Sequence, residues 1–217
     1  MVLLREKIKN SIINYRKKFI IKFNIFFEGG NGLVRIPKQD LRVKKTIAKL
    51  TEVLIMLLQT QRFSKITINQ ICLEASVHRT TFYKHFKDKN ELLMHVLEAT
   101  TKPYFNNDVN KRMLQPFTCL EQTLNVAMRD ILKQQEDDPI FYKLLVQFFT
   151  KSINTDVQVY IRKLPKEQRF PSEVFGYVQT AIISSLNQWR IDTNTEFDAS
   201  MLDHIYQTLM RYRLSKL

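Results

Sequence analysis

Between Ile66 and Leu93 the chain reads ITINQICLEASVHRTTFYKHFKDKNELL, and the starts and stops in that run leave little choice of fold. Thr67 and Gln70 form a Thr-x-x-Gln capping box, in which the hydroxyl accepts an otherwise orphaned amide, so a helix is expected over 68–75. Its inward side is Ile68, Ile71, Cys72 and Ala75. A three-residue turn, Ser76-Val77-His78, follows, with Val77 as its apolar plug. A second helix over 79–86 then buries Phe82 and Phe86, four residues apart on one face. Asp88 and Glu91 make a second capping box, for a helix through Leu92, Leu93, Val96 and Leu97. Two short helices a tight turn apart, with a third after them, describe a helix-turn-helix.

Winding 79–86 as a helix sorts its chemistry. Phe82 and Phe86 share the apolar side, Thr80, Thr81 and Lys84 point the other way, and Tyr83 and His85 lie on the flanks. A helix laid in the major groove needs polar groups toward base edges and hydrogen-bonding groups toward the phosphate walls. Arg79, at the helix start, suits a guanine edge or a phosphate. Before this run, Ile47, Leu50, Leu54, Leu57 and Leu58 recur at helical spacing behind Asp40 as a candidate cap, and Phe63 closes that helix onto the core.

The charge supports the same partner. The chain carries a net +13, and the excess is uneven. Residues 1–40 hold 9 Lys/Arg against 3 Asp/Glu, residues 41–101 hold 10 against 5, and the remainder holds 15 against 13. A basic N-terminal half and a near-neutral C-terminal half suit a polyanion at one end only. With 4 Gly and 6 Pro in 217 residues, an all-α chain is expected rather than sheets joined by tight turns. Cys72 and Cys119 show no metal or redox spacing and read as buried thiols in a reducing cytoplasm. No window is long and apolar enough for a membrane span. No nucleophile–base pair, metal cluster or nucleotide loop is visible, so neither an enzyme nor a cofactor is expected; Gly29-Gly30-Asn31-Gly32 lacks the Lys-Ser/Thr of a phosphate loop.

The segment resembles the TetR family of bacterial transcriptional regulators, above all in Thr81-Phe82-Tyr83-Lys84-His85-Phe86 followed by Lys87-Asp88-Lys89-Asn90-Glu91-Leu92-Leu93. The resemblance covers residues 41–101. By position it implies base contacts from Asn69, Arg79, Thr80 and Lys84, and phosphate contacts from Thr67, Thr81, Tyr83, His85 and Lys89. Two residues depart from the family pattern. Ser76 stands where Gly is usual, at a cost of roughly 1 kcal/mol if the residue is left-handed. His78 takes the helix cap in place of Ser or Thr, and is a poorer one.

Residues 102–217 read as a helical regulatory and dimerisation domain. Thr118 and Glu121 offer a capping box for a helix holding Leu124, Met128, Ile131 and Leu132. Asp138-Pro139 starts another through Phe141, Leu144, Leu145 and Phe148. A shorter segment spans 157–164 and ends at Pro165. Ser172 is read as the cap of a long helix holding Val174, Phe175, Val178, Ile182, Ile183, Leu186 and Trp189. Asp198 opens the last, with Met201, Leu202, Ile205, Leu209 and Tyr212. The resemblance implies a homodimer through the last two long helices, with Gly176, Ala181, Ser184 and Ser185 permitting close approach. It also implies a small-molecule pocket among the middle helices. Candidates there are Phe117, Met128, Phe141, Tyr142, Phe148, Phe149, Phe175 and Trp189, and nothing in the sequence names the effector.

Residues 1–40 read in two ways. They are a basic extension lying on DNA or a membrane surface, or an upstream region translated only on paper. Glu28-Gly29-Gly30 back-translates to a purine-rich run like a ribosome-binding site, which would put the natural start near Leu33. The whole then implies a dimeric DNA-binding regulator, most simply a repressor released from a near-palindromic double-stranded operator by a ligand. The alternative is a co-regulator of the same fold that docks onto another transcription factor.

Overall fold

The computed structural model describes residues 38–211 apart from 164; the two readings of residues 1–40 and the place of Tyr212 fall outside it, save for the helical backbone of residues 38–40. From Val43 onward the described residues form one compact unit. Among the described residues every regular element is helical.

Helix α1, Lys38–Leu58, begins two residues before Asp40, which therefore lies in its first turn and is not its cap. Leu50, Leu54 and Leu58 are fully buried, with Val53 and Ile55 widening the apolar face beyond the expected stripe. A 3-10 turn at Phe63–Lys65 buries Phe63 and leads to α2, Ile68–Glu74. Helix α3, Arg79–Tyr83, is shorter than the expected 79–86. The chain past it keeps turning, with the amides of His85 and Phe86 both donating to the Phe82 carbonyl. Helix α4, Lys89–Phe105, runs without interruption from the reading module into the C-terminal half.

That half departs from its sequence in three places. The single helix expected from 118 to 132 is two: α6, Pro116–Thr123, and α7, Val126–Gln134, after a short α5, Val109–Leu114. The break comes at Asn125, whose side chain accepts from the Met128 amide at 2.8 Å and starts a new helix. Nor does Thr118 cap α6. Asp203, far away in sequence, accepts from the amides of Phe117 at 2.8 Å and Thr118 at 3.0 Å.

Conversely, two segments expected apart are one helix, α8, Pro139–Lys163, 25 residues long. Ile153, Val157 and Ile161 carry its buried face across the expected gap, packed by Phe149 and Phe175. Helix α9, Ser172–Asp192, follows Pro171, so Ser172 is its first residue and makes no cap bond. It ends on Asn194, left-handed at φ 50°, with the Thr195 amide returning to the Arg190 carbonyl. Helix α10, Ala199–Arg211, is capped as expected, by Asp198 on the Met201 amide at 3.0 Å. Phe117, Leu186, Leu202 and Tyr206 join α6, α9 and α10 in one core.

Helices α8 and α9 lie along one another, and Gly176 is where they meet. A Cβ there would sit 2.9 Å from the Thr150 carbonyl oxygen. Gly176 therefore serves packing within the chain, not the subunit approach read from the sequence. Gly176→Ala adds a methyl against main chain that cannot swing away, at about 1–3 kcal/mol of overpacking. That outweighs the ~1 kcal/mol Ala gains in helix propensity, and thermal unfolding of the variant is expected at a lower midpoint than wild type.

Candidate nucleic-acid interface

Local chemistry sets the reading head. The Gln70 amide donates to Thr67 Oγ1 at 3.1 Å, so Thr67 caps α2 as the sequence pattern predicts. At the other end the Val77 amide bonds to the Cys72 carbonyl and the Ser76 amide to the Leu73 carbonyl, with Ser76 at φ 52°. This closing pattern requires a left-handed residue, which Gly tolerates best. His78 then caps α3: its Nδ1 lies 3.4 Å from the Thr80 amide and 2.8 Å from Thr80 Oγ1. Asp88 accepts from the amides of Asn90 and Glu91 at 2.8 and 2.9 Å. Glu91 turns back one residue beyond the cap, accepting from the Lys87 amide in place of the Asp88 amide of a capping box.

The seam behind α3 is apolar. Phe82 is fully buried and Phe86 nearly so, their ring centroids 5.9 Å apart, and Phe86 also packs on His95. Ile71, Cys72 and Ala75 of α2 are buried with them. Both thiols, Cys72 and Cys119, are free and buried, and burial raises both pKa values. With that side locked, the opposite one faces water. Asn69, Arg79, Thr80 and Lys84 are exposed, as are Thr67 and Tyr83; Thr81 and His85 are half-buried. The Arg79 guanidinium lies over the Tyr83 ring and donates to its hydroxyl at 3.1 Å. An Arg otherwise free to sweep is thus held beside the helix.

Lys89 is placed differently from its expected role. Its ammonium donates to the carbonyls of Phe63 at 2.9 Å and Ile66 at 2.7 Å, and sits 4.6 Å from the Phe63 ring centroid. Burial lowers its pKa, partly offset by the Asp138 carboxylate. It thus ties α4 to the turn between α1 and α2. Two further residues, Gln135 and Asp138, grip the same turn from the C-terminal half. Asp138 announced itself only as a helix start, and Gln135 gave no sequence signal.

The aromatic pocket candidates do not share one lining. Phe117 belongs to the α6–α9–α10 core, Phe148 and Phe149 stack against Phe105, and Phe175 packs on the buried face of α8. Met128 and Phe141 are fully buried, whereas Tyr142 and Trp189 are exposed. Thr150, Gln179 and Thr180 are buried; Thr150 Oγ1 and Thr180 Oγ1 have no hydrogen-bond partner, while Gln179 lies against the Tyr206 hydroxyl of α10. Nearby, Arg112 is buried in an ion pair with Asp156 and lies over the rings of Tyr104 and Phe105. Among the described residues no group of His, Cys, Asp and Glu can hold a metal, and no helix is long and apolar enough to cross a membrane.

Residues 50–96 match the family model of the bacterial regulatory proteins, tetR family. In fold the chain is similar to a TetR transcriptional regulator from Streptococcus agalactiae, at 22% identity and a TM-score of 0.55 over 80% of this chain and 98% of that one. NalD of Pseudomonas aeruginosa, the secondary repressor of a multidrug efflux pump, aligns at 18% identity and a TM-score of 0.45, over 77% and 96% of the two chains. The multidrug binding protein EbrR aligns at 9% identity and 0.49, over 79% and 98%. No curated protein matches in sequence.

Ser76→Gly relieves the left-handed strain without touching the exposed face. It is expected to stabilise the chain by about 1 kcal/mol, read as a higher urea midpoint at unchanged slope.

Proposed function

We propose, from the TetR-family DNA-binding domain that residues 50–96 form, that this chain is a homodimeric, sequence-specific transcriptional regulator. In this reading it is a repressor that leaves a near-palindromic operator when a small molecule binds its C-terminal half. One observation carries the DNA assignment. Arg79, Thr80 and Lys84 stand exposed on a short helix whose other side, Phe82 and Phe86, is anchored in the core. Such a helix enters a major groove as a rigid piece. In it Arg79, Thr80, Lys84 and Asn69 of α2 read bases, while Thr67, Thr81, Tyr83 and His85 hold phosphates. Lys89 acts one layer back, by holding the turn.

Dimerisation is supported by α9. Val174, Tyr177, Val178 and Trp189 recur at helical spacing and remain exposed, Tyr177 at 66%, on a helix whose other side is packed on α8. Leu209 adds an exposed apolar residue on α10. A two-fold pairing of these faces places two reading heads on one side of the duplex. The unpartnered hydroxyls of Thr150 and Thr180 support an effector with neutral hydrogen-bonding groups, since such atoms are costly to bury unsatisfied.

Selection of bound duplexes from random DNA tests the reading, and recovery of no preferred sequence sinks it. On the selected duplex, Arg79→Ala or Lys84→Ala is expected to relax discrimination at particular base pairs by roughly 1–3 kcal/mol where the contact is bidentate. Tyr83→Phe is expected to weaken all sequences through the lost phosphate contact and, by freeing the Arg79 guanidinium from the Tyr83 hydroxyl, to relax discrimination only at the base pair Arg79 reads. Equal effects of all three on selected and random DNA overturn the assignment.

Val178→Glu buries a charge in the proposed subunit seam. Sedimentation is expected to show monomers that bind a half-site but no longer prefer the full duplex; an unchanged dimer rejects this face.

A further inference from the structure

The corner between α1 and α2 is held by side chains from the far end of α7 and the start of α8. Gln135, buried at the end of α7, accepts from the Phe63 amide at 2.7 Å through Oε1. Its Nε2 donates to the carbonyls of Leu58 at 2.6 Å and Gln61 at 2.8 Å. Asp138 divides its carboxylate: Oδ1 caps α8 on the amides of Ile140 and Phe141, both at 3.0 Å, and Oδ2 accepts from the Ser64 amide at 2.6 Å. Outside this clasp an exposed Arg62–Asp137 ion pair spans the same gap at 2.8 Å, and such pairs contribute little.

We infer that Gln135 and Asp138 are positioning residues for DNA recognition, fixing the angle at which the reading head hangs from α8 and hence the distance between the two heads of a dimer. The inference rests on the dimeric, DNA-binding reading above. Apolar contact alone would resist separation but allow sliding. Four directed hydrogen bonds onto main chain fix both translation and rotation. Because one carboxylate both starts α8 and holds Ser64, a shift of α8 carries the corner with it.

The test uses the full chain and the duplex selected by the wild type, with copies carrying one base pair added or removed between half-sites. Asp138→Asn keeps the volume and one acceptor; Gln135→Met keeps the volume and removes all three bonds. For wild type, the altered spacings are expected to bind much more weakly. In both variants that penalty is expected to shrink about 5-fold or more, the lower end of coupling between sites in proteins. Affinity for an isolated half-site is expected to stay at the wild-type value. A wild-type penalty in variants that melt cooperatively overturns the inference, because a merely structural bond would leave spacing preference untouched. If Gln135→Met does not fold, Asp138→Asn decides alone; if neither folds, the clasp is structural and the inference falls. Selection without sequence preference, or of a single half-site, overturns the functional reading itself. Selection of paired half-sites with unaltered spacing dependence overturns only this inference.

Discussion

Residues 58–66 turn the chain from α1 into α2, and side chains from elsewhere meet main-chain groups that the turn's own hydrogen bonds leave over, the amides of Phe63 and Ser64 and the carbonyls of Leu58 and Gln61 among them. A buried amide or carbonyl left unpaired costs about 1–3 kcal/mol, so these side chains stabilise the corner. Lys89 takes carbonyls from the α4 side, and Gln135 and Asp138 take amides and carbonyls from the α7–α8 side. The Asp138 carboxyl is pushed up by burial, but the amides of Ser64, Phe141 and Ile140 outweigh that and hold it below its ordinary range. It is therefore charged at neutral pH, and its contribution is lost only as pH falls through that lowered value. The helix-turn-helix and the C-terminal helices thus share one polar joint.

Within the head, conformational strain is accepted where geometry demands it. Ser76 sits left-handed because α2 closes with the Val77 amide on the Cys72 carbonyl and the Ser76 amide on the Leu73 carbonyl, a pattern that requires that conformation. His78 supplies a usable cap from an unusual side chain. What compensates is packing: Phe82, with no exposed surface, holds α3 whatever the marginal quality of its ends. A helix this short has little stability of its own. Its rigidity comes from the core behind it, and the Arg79–Tyr83 contact extends that order to an exposed guanidinium.

The C-terminal half follows a different logic. Helices α8 and α9 meet closely because Gly176 lets the Thr150 carbonyl approach. That contact uses one side of α9 and leaves Val174, Tyr177, Val178 and Trp189 uncovered on another. A helix apolar on two sides has more to bury than one intrachain neighbour can cover. Buried polar groups on the same helices, and the Arg112–Asp156 pair nearby, make this half less uniformly apolar than its composition suggests.

The helix-turn-helix was legible because its signals act over three or four residues. Thr67, Asp88 and Asp198 cap the helices that follow them, and Phe82 and Phe86 fall on one face. The structure departs from the local pattern where a distant residue outbids a near one, and at Asn125, a local cap hidden inside an apolar stripe. Asp203 caps α6 in place of Thr118, Asn125 splits an apparently continuous helix, and the buried face of α8 carries it past an expected break. Gly176 and Lys89 were assigned to a partner subunit and to DNA because nothing in their neighbourhood reveals the Thr150 carbonyl or the Phe63 carbonyl. Local periodicity and capping determined the helical class, the reading helix and its exposed polar row. Tertiary structure alone decided which side chains complete the buried turn, since the partners of an orphaned amide are set by proximity in space, and Gln135 lies 72 residues from Phe63.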